Sequence, residues 1–124
     1  MTRKGAVFMC SSRALDEILE RLCGELRGLL GESMREVILF GSYARGTAYD
    51  DSDIDVVILS DMDRKDLFAL HFDIGKIAGD IFLDYGVQVS PIVENREFFQ
   101  EYKEAMPFYR NVNNEGMYIN AGHL

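Results

Sequence analysis

Two carboxylates one residue apart, Asp53 and Asp55, stand in the stretch GSYARGTAYDDSDIDVVIL, residues 41–59. Directly after them the chain runs through Val56, Val57, Ile58 and Leu59, a segment with no structural use for charge. Side chains alternate along a strand, so Asp53 and Asp55 point to one face, about 7 Å apart at Cα, while Ile54 points into the core. Carboxylates this close repel each other, and a divalent cation removes that cost. Oxygen-only ligands that leave positions open for water and phosphate suit Mg²⁺. Upstream, Gly41 and Ser42 follow the apolar run VILF. Where a strand ends at a Gly-Ser turn that opens a helical turn, backbone N–H groups and a hydroxyl converge on one point, and that geometry cradles phosphate. A Gly-Ser pair alone is a common turn, and an Asp-x-Asp alone is common on surfaces. The order strand, Gly-Ser, ten residues, Asp-x-Asp, strand singles this segment out.

The elements that must position these groups can be read from periodicity. Leu15, Ile18, Leu19, Leu22, Leu26, Leu29 and Leu30 recur at spacings of three and four, which predicts a first helix over 12–30, with Ser11 or Ser12 as its cap and Gly31 as its stop. A short buried strand follows over Val37–Phe40. Residues 41–52 are small and polar, a turn with one helical turn in it and an excursion that returns both motifs to the same end of adjacent strands. The strand 53–59 reads as central, covered on both faces. One long helix is expected from near Asp61 or Asp63 to Gly86, its stripe of Leu67, Leu70, Ile74, Ile77 and Ile81 widened by Phe68, Phe72 and Phe82. VQVSPIV predicts a third strand. Pro91 has no N–H to donate, so this strand lies at an edge, or ends or bulges there. A helix over 96–105 and a last short helix opened by Pro107 and stopped by Gly116 complete the order α-β-β-α-β-α-α. That order indicates an α/β fold, a small mixed β-sheet flanked by helices.

Length and composition narrow the partners. The 124 residues suit one domain, with a core over about 12–118 and residues 1–11 as a tail or short edge strand. The formal charge of −8 repels phosphate backbones and argues against DNA as a partner. It suits a partner with a basic groove. Without an apolar run of 18 residues there is no membrane span, and the N-terminal apolar run is too short for a signal peptide. Cys10 and Cys23 form neither a disulfide framework nor a zinc pattern; read as reduced, they point to the cytoplasm. His71 and His123 are too far apart to suggest a metal motif, and His71 is expected at a core edge. Phe98, Phe99, Tyr102, Met106, Phe108, Tyr109, Met117 and Tyr118 crowd the last part of the chain, as core or as a partner surface.

Gly41-Ser42, ten residues and Asp53-Ile54-Asp55 resemble the signature of the nucleotidyltransferase superfamily of the DNA polymerase β type. The chain length, GSYARGTAYDDSDIDVVIL and the ending PFYRNVNNEG are similar to its minimal members, small antitoxins paired with HEPN-domain toxins. The resemblance covers roughly residues 12–118. It implies the nucleotidyltransferase fold, ATP as substrate and two Mg²⁺ ions. Asp53 and Asp55 would be the catalytic and metal-holding residues, and Ser42 with the turn at Gly41 would bind the β- and γ-phosphates. Arg45, within the matching GSxARG, would meet a phosphate or remain a solvated loop arginine. AMP would pass to a tyrosine hydroxyl of a HEPN-domain toxin, in a hetero-oligomer, with a homodimer also open.

The chain departs from the family at one point. Members usually carry a third carboxylate on the next strand, and here Gln88 stands in that setting, with Ser90 on the same face. A neutral amide binds Mg²⁺ more weakly and takes no proton at neutral pH. Asp84, just before the strand, either substitutes or is a solvated aspartate at a helix end. An enzyme therefore competes with a module that neutralises its partner by binding alone. A modifier of small molecules is a third reading, disfavoured because such enzymes need an added helical domain.

Overall fold

The computed structural model describes residues 12–47 and 53–119. Helix α1 (Ser12–Leu30) forms as the leucine spacing predicts, and Leu15, Ile18, Leu19, Leu22, Leu26 and Leu30 are all buried. One 3₁₀ turn, Gly31–Ser33, leads into strand β1 (Met34–Phe40). A four-residue helix, α2 (Ser42–Arg45), follows at once, and β2 (Ile54–Ser60) returns antiparallel beside β1 with Phe40 paired to Asp55. Then come α3 (Arg64–Ala69), α4 (His71–Tyr85), β3 (Val89–Asn95), α5 (Arg96–Tyr102), α6 (Pro107–Glu115) and β4 (Met117–Ile119).

The sheet order is β3-β2-β1-β4, with β2–β3 parallel and the other two pairings antiparallel. The mixed sheet flanked by helices is the expected architecture. Its two faces carry separate clusters. Alternate residues Val37, Leu39, Ile54, Val56, Ile58 and Val89 pack under α1 and α4. Ile38, Val57 and Leu59 face the other way, against Phe99, Tyr109 and Val112 of α5 and α6. Strand β2 is thus apolar on both sides because both sides are covered. Pro91 fits its place at the free edge. Ile54 N–H donates to the Gln88 carbonyl at 2.9 Å, so in the parallel ladder even-numbered β3 residues bond to β2 and Pro91 looks outward, where no donor is required.

Several expectations are corrected. The long helix after β2 is two helices, broken at Leu70, whose φ of −91° and ψ of 4° leave the helical region. Leu67, Leu70, Ile74, Ile77 and Ile81 still pack on the core across the break, but Phe68, Phe72 and Phe82 do not widen the buried face. They are exposed, Phe72 by 86%. His71 is likewise outside the core, stacked on Phe68 and edge-on to Phe72. Strand β4 was not foreseen, and α5 stops at Tyr102. The late aromatics divide. Phe99 and Tyr109 are core, while Tyr102, Met106, Phe108, Met117 and Tyr118 are exposed. Cys23 is buried, and burial pushes its thiol up to about 11, as for an inert core cysteine. No helix among the described residues is long and apolar enough to cross a membrane. The expectations for the N-terminal tail, Cys10, His123 and residues 48–52 lie outside the described residues.

One buried charge ties the α5–α6 layer to the sheet. Glu94, 5% exposed, accepts from Arg64 Nε at 3.0 Å, from the Asn95 backbone N–H at 2.8 Å and from the Tyr109 hydroxyl. Arg64 also lies over the Phe98 ring, 3.7 Å from its centroid. Burial and then the bond to Glu94 push the Tyr109 hydroxyl well above its ordinary value. Glu94→Ala strands the buried Tyr109 hydroxyl and is expected to cost about 2–4 kcal/mol in urea denaturation. Tyr109→Phe removes one partner only and should cost about 1 kcal/mol. Equal losses would show that the hydroxyl, not the carboxylate, carries the cluster.

Candidate functional site

The two motifs meet because β1 ends where β2 begins. Gly41 closes β1 with φ 76° and ψ −153°, a conformation essentially restricted to glycine. The chain there turns directly into α2, where Arg45 N–H donates to the Gly41 carbonyl at 3.1 Å. Tyr43, buried to 1% exposure, anchors this short helix in the core cluster, so the turn is held from beneath. In the sequence Tyr43 reads as part of a polar turn. A buried aromatic inside a turn was the missed signal that the turn is fixed.

Gly41 also touches the acid site. A Cβ placed on Gly41 would lie 2.5 Å from Asp55 Oδ2, so the Asp55 carboxylate occupies the space that any other residue at 41 would fill. The Gly-Ser turn and the second aspartate are therefore in contact. Asp53, just before β2, is exposed, and Asp55 is half-buried. Burial, then the Asp53 charge, pushes the Asp55 carboxyl above the usual carboxylate range, while Arg45 pulls it back. Arg45 thus belongs to the field of the site, although its Nη1 is 3.4 Å from Glu115 Oε1 at the end of α6.

Of the β3 side chains near the aspartates, Ser90 is the one that contacts them. Ser90 is the register partner of Asp55 on the parallel strand, and its hydroxyl donates to Asp53 Oδ2 at 3.3 Å. Gln88 turns its side-chain amide to the Val89 carbonyl, at 3.5 Å. Asp84 is bound by Arg21 Nη1 at 2.5 Å, and this ion pair to α1 accounts for its carboxylate. Among the described residues, no group of three or more His, Cys, Asp or Glu side chains converges as a metal site. The donors present are two carboxylates and one hydroxyl, all oxygen. That set fits a hard divalent cation whose remaining ligands are water and phosphate. A concavity of about 230 Å³ lined by Arg64, Phe68, His71, Pro91 and Glu94 lies beside the edge of β3, and neither aspartate lines it. The candidate site is therefore taken at the contact between Gly41 and Asp55 rather than at that hollow.

Comparison with known proteins places the chain among relatives. The family model described as "Nucleotidyltransferase domain" matches residues 15–111. A Methanocaldococcus jannaschii protein named "Putative protein adenylyltransferase MJ0604" is 37% identical over 109 residues, covering 87% of this chain and 96% of its own length. A second from that organism, "Putative protein adenylyltransferase MJ1305", is 37% identical over 90 residues, covering 68% of this chain and 58% of its own length. Among solved structures, a toxin–antitoxin crystal structure with AMP-PNP aligns with a TM-score of 0.48 at 18% identity, covering 80% of this chain and 70% of that chain.

Proposed function

The chain belongs to the nucleotidyltransferase domain family, and on that premise we propose that it transfers AMP from ATP to a hydroxyl of a partner protein. The observation that carries this reading is the packing of Asp55 against Gly41. It puts the acid pair beside the turn suited to a triphosphate. Ser42 and the backbone at Gly41 would hold the β- and γ-phosphates, with Arg45 beside them. Asp53 and Asp55 would hold Mg²⁺, two ions on the family pattern, which when bound polarises the α-phosphate and stabilises the leaving pyrophosphate. The strand start fixes both carboxylates relative to the turn, so the α-phosphate is presented to an incoming hydroxyl in one orientation. That hydroxyl oxygen would form a bond to the α-phosphorus as the bond to the pyrophosphate oxygen breaks, its proton passing to solvent water.

The relatives named as protein adenylyltransferases support a protein acceptor. The resemblance of residues 41–59 and of the chain's ending to minimal antitoxins supports a HEPN-domain toxin as that acceptor, in the cytoplasm. The chain would then act as an antitoxin by modifying its partner. A second reading, neutralisation by binding alone, is favoured by one observation: the described residues bring no third carboxylate to the aspartates.

One experiment separates the two. The protein and a candidate partner are incubated with ATP labelled at the α-phosphate, with Mg²⁺. Label passing to the partner, and lost with Asp53→Ala, is the expected outcome. A partner silenced without label, and equally by the Asp53→Ala variant, would replace the enzyme with the binding module.

A further inference from the structure

The geometry points to Ser90 as the residue that stands in the third-ligand position of this site, leaving a centre that grips one divalent cation with its nucleotide and holds a second only weakly. This rests on the nucleotidyltransferase reading and deepens it. Three observations place Ser90 there. It is the register partner of Asp55 across the parallel β2–β3 ladder, so both side chains leave the same face of the sheet. Its hydroxyl donates to Asp53 Oδ2 at 3.3 Å, which makes it the β3 side chain seen bonded to the acid pair. The acidic alternative is engaged elsewhere, Asp84 by Arg21 at 2.5 Å, and Gln88 directs its amide to a backbone carbonyl.

The consequence follows from charge. A hard cation is held mainly by anionic oxygen, and ligand charge count sets its affinity. Asp53 and Asp55 supply two negative charges, enough with a triphosphate to hold one ion firmly. A second ion must share those carboxylates and otherwise meets the neutral Ser90 oxygen, which binds a divalent ion far less strongly than a carboxylate. The proton of Ser90 meanwhile serves the protein, because it holds the Asp53 carboxylate in one orientation. Ser90 is thus a positioning residue for Asp53 and a weak ligand position.

Mn²⁺ titrated into the protein with an excess of α,β-methylene ATP, with free Mn²⁺ read by electron paramagnetic resonance, tests this without turnover. Wild type is expected to bind one ion tightly and a second at least about tenfold more weakly. Ser90→Asp should tighten the second ion by about tenfold or more, to two per chain. Ser90→Ala should weaken the first several-fold, through the loss of the hydrogen bond to Asp53. Ser90→Cys keeps the side-chain size and offers a soft ligand, so it should raise Cd²⁺ affinity by about tenfold over wild type even if the aspartate variant folds poorly. Two equally tight Mn²⁺ ions in wild type would overturn the assignment. So would an unchanged count in Ser90→Asp together with two tight ions in Gln88→Glu. Absence of any nucleotide-dependent Mn²⁺ binding in wild type would instead sink the nucleotidyltransferase reading on which the assignment stands.

Discussion

Asp55→Ala is expected to abolish Mg²⁺-dependent ATP binding and to leave the protein at least as stable as wild type. The two halves of this expectation have one cause. Asp55 is half-buried on the face it shares with Asp53, and burial and that neighbouring charge both disfavour its ionised form. Within the folded chain this carboxylate is a cost, and its removal relieves a like-charge contact. Only a ligand of opposite charge makes the pair worthwhile, so function and stability move in opposite directions, as expected where a site is kept at the fold's expense. Turnover should fall by roughly 10⁴–10⁶-fold, the scale for losing one member of a catalytic group that acts as a unit. Calorimetric titration with ATP, with and without Mg²⁺, and urea denaturation of the same preparations read both halves. Unchanged binding by a folded Asp55→Ala would remove Asp55 from the site. A large loss of stability would mean that it is structural.

The site was more legible in the sequence than the helices around it. Asp53 and Asp55 could be read because strand alternation is a strict rule: once Val56–Leu59 is a strand, the parity of the two acids is fixed. Their meeting with Gly41 followed from the short return between adjacent strands, and the β1–β2 register, Phe40 opposite Asp55, bears it out. The contact of Ser90 with Asp53 was not legible. Parity put Gln88 and Ser90 on one face, but choosing between them needs the register of a parallel pair, and register comes from long-range packing. Helices α3 and α4 differ from the reading for a related reason. Phe68, Phe72 and Phe82 fall at helical spacings, but the narrow contact with α1 and the sheet leaves them outside. Hydrophobic spacing shows which residues share a face and not how wide the covering layer is. Strand β4 is three residues long, too short for any periodicity. Its position depends on Gly116, where a Cβ would collide with Ile38 and the Val112 carbonyl, a contact absent from the sequence pattern.

Gly41→Ala should damage fold and site together. The backbone at 41 lies in a region that side-chain-bearing residues avoid, and forcing alanine into it costs about 1–3 kcal/mol. The new methyl group would also meet Asp55 Oδ2 at 2.5 Å, so the carboxylate must swing away or the β1 end must shift. Either movement separates the Gly-Ser turn from the acid pair, and MgATP affinity should fall at least about tenfold, because a misplacement of about 1 Å costs as much as a hundredfold in a preorganised site. A double-mutant cycle divides the two contributions. In an Asp55→Ala background the carboxylate is gone and only its Cβ remains, at an ordinary contact distance of 3.5 Å. The stability cost of Gly41→Ala should then shrink by roughly 0.5–3 kcal/mol, the range for directly touching residues, leaving the backbone strain alone. An unchanged cost would mean that the glycine serves only its torsion angles, and that the carboxylate beside it is a neighbour without coupling. A reduced cost would show that Gly41 is small because Asp55 must be close, which is the physical content of the Gly-Ser and Asp-x-Asp pairing.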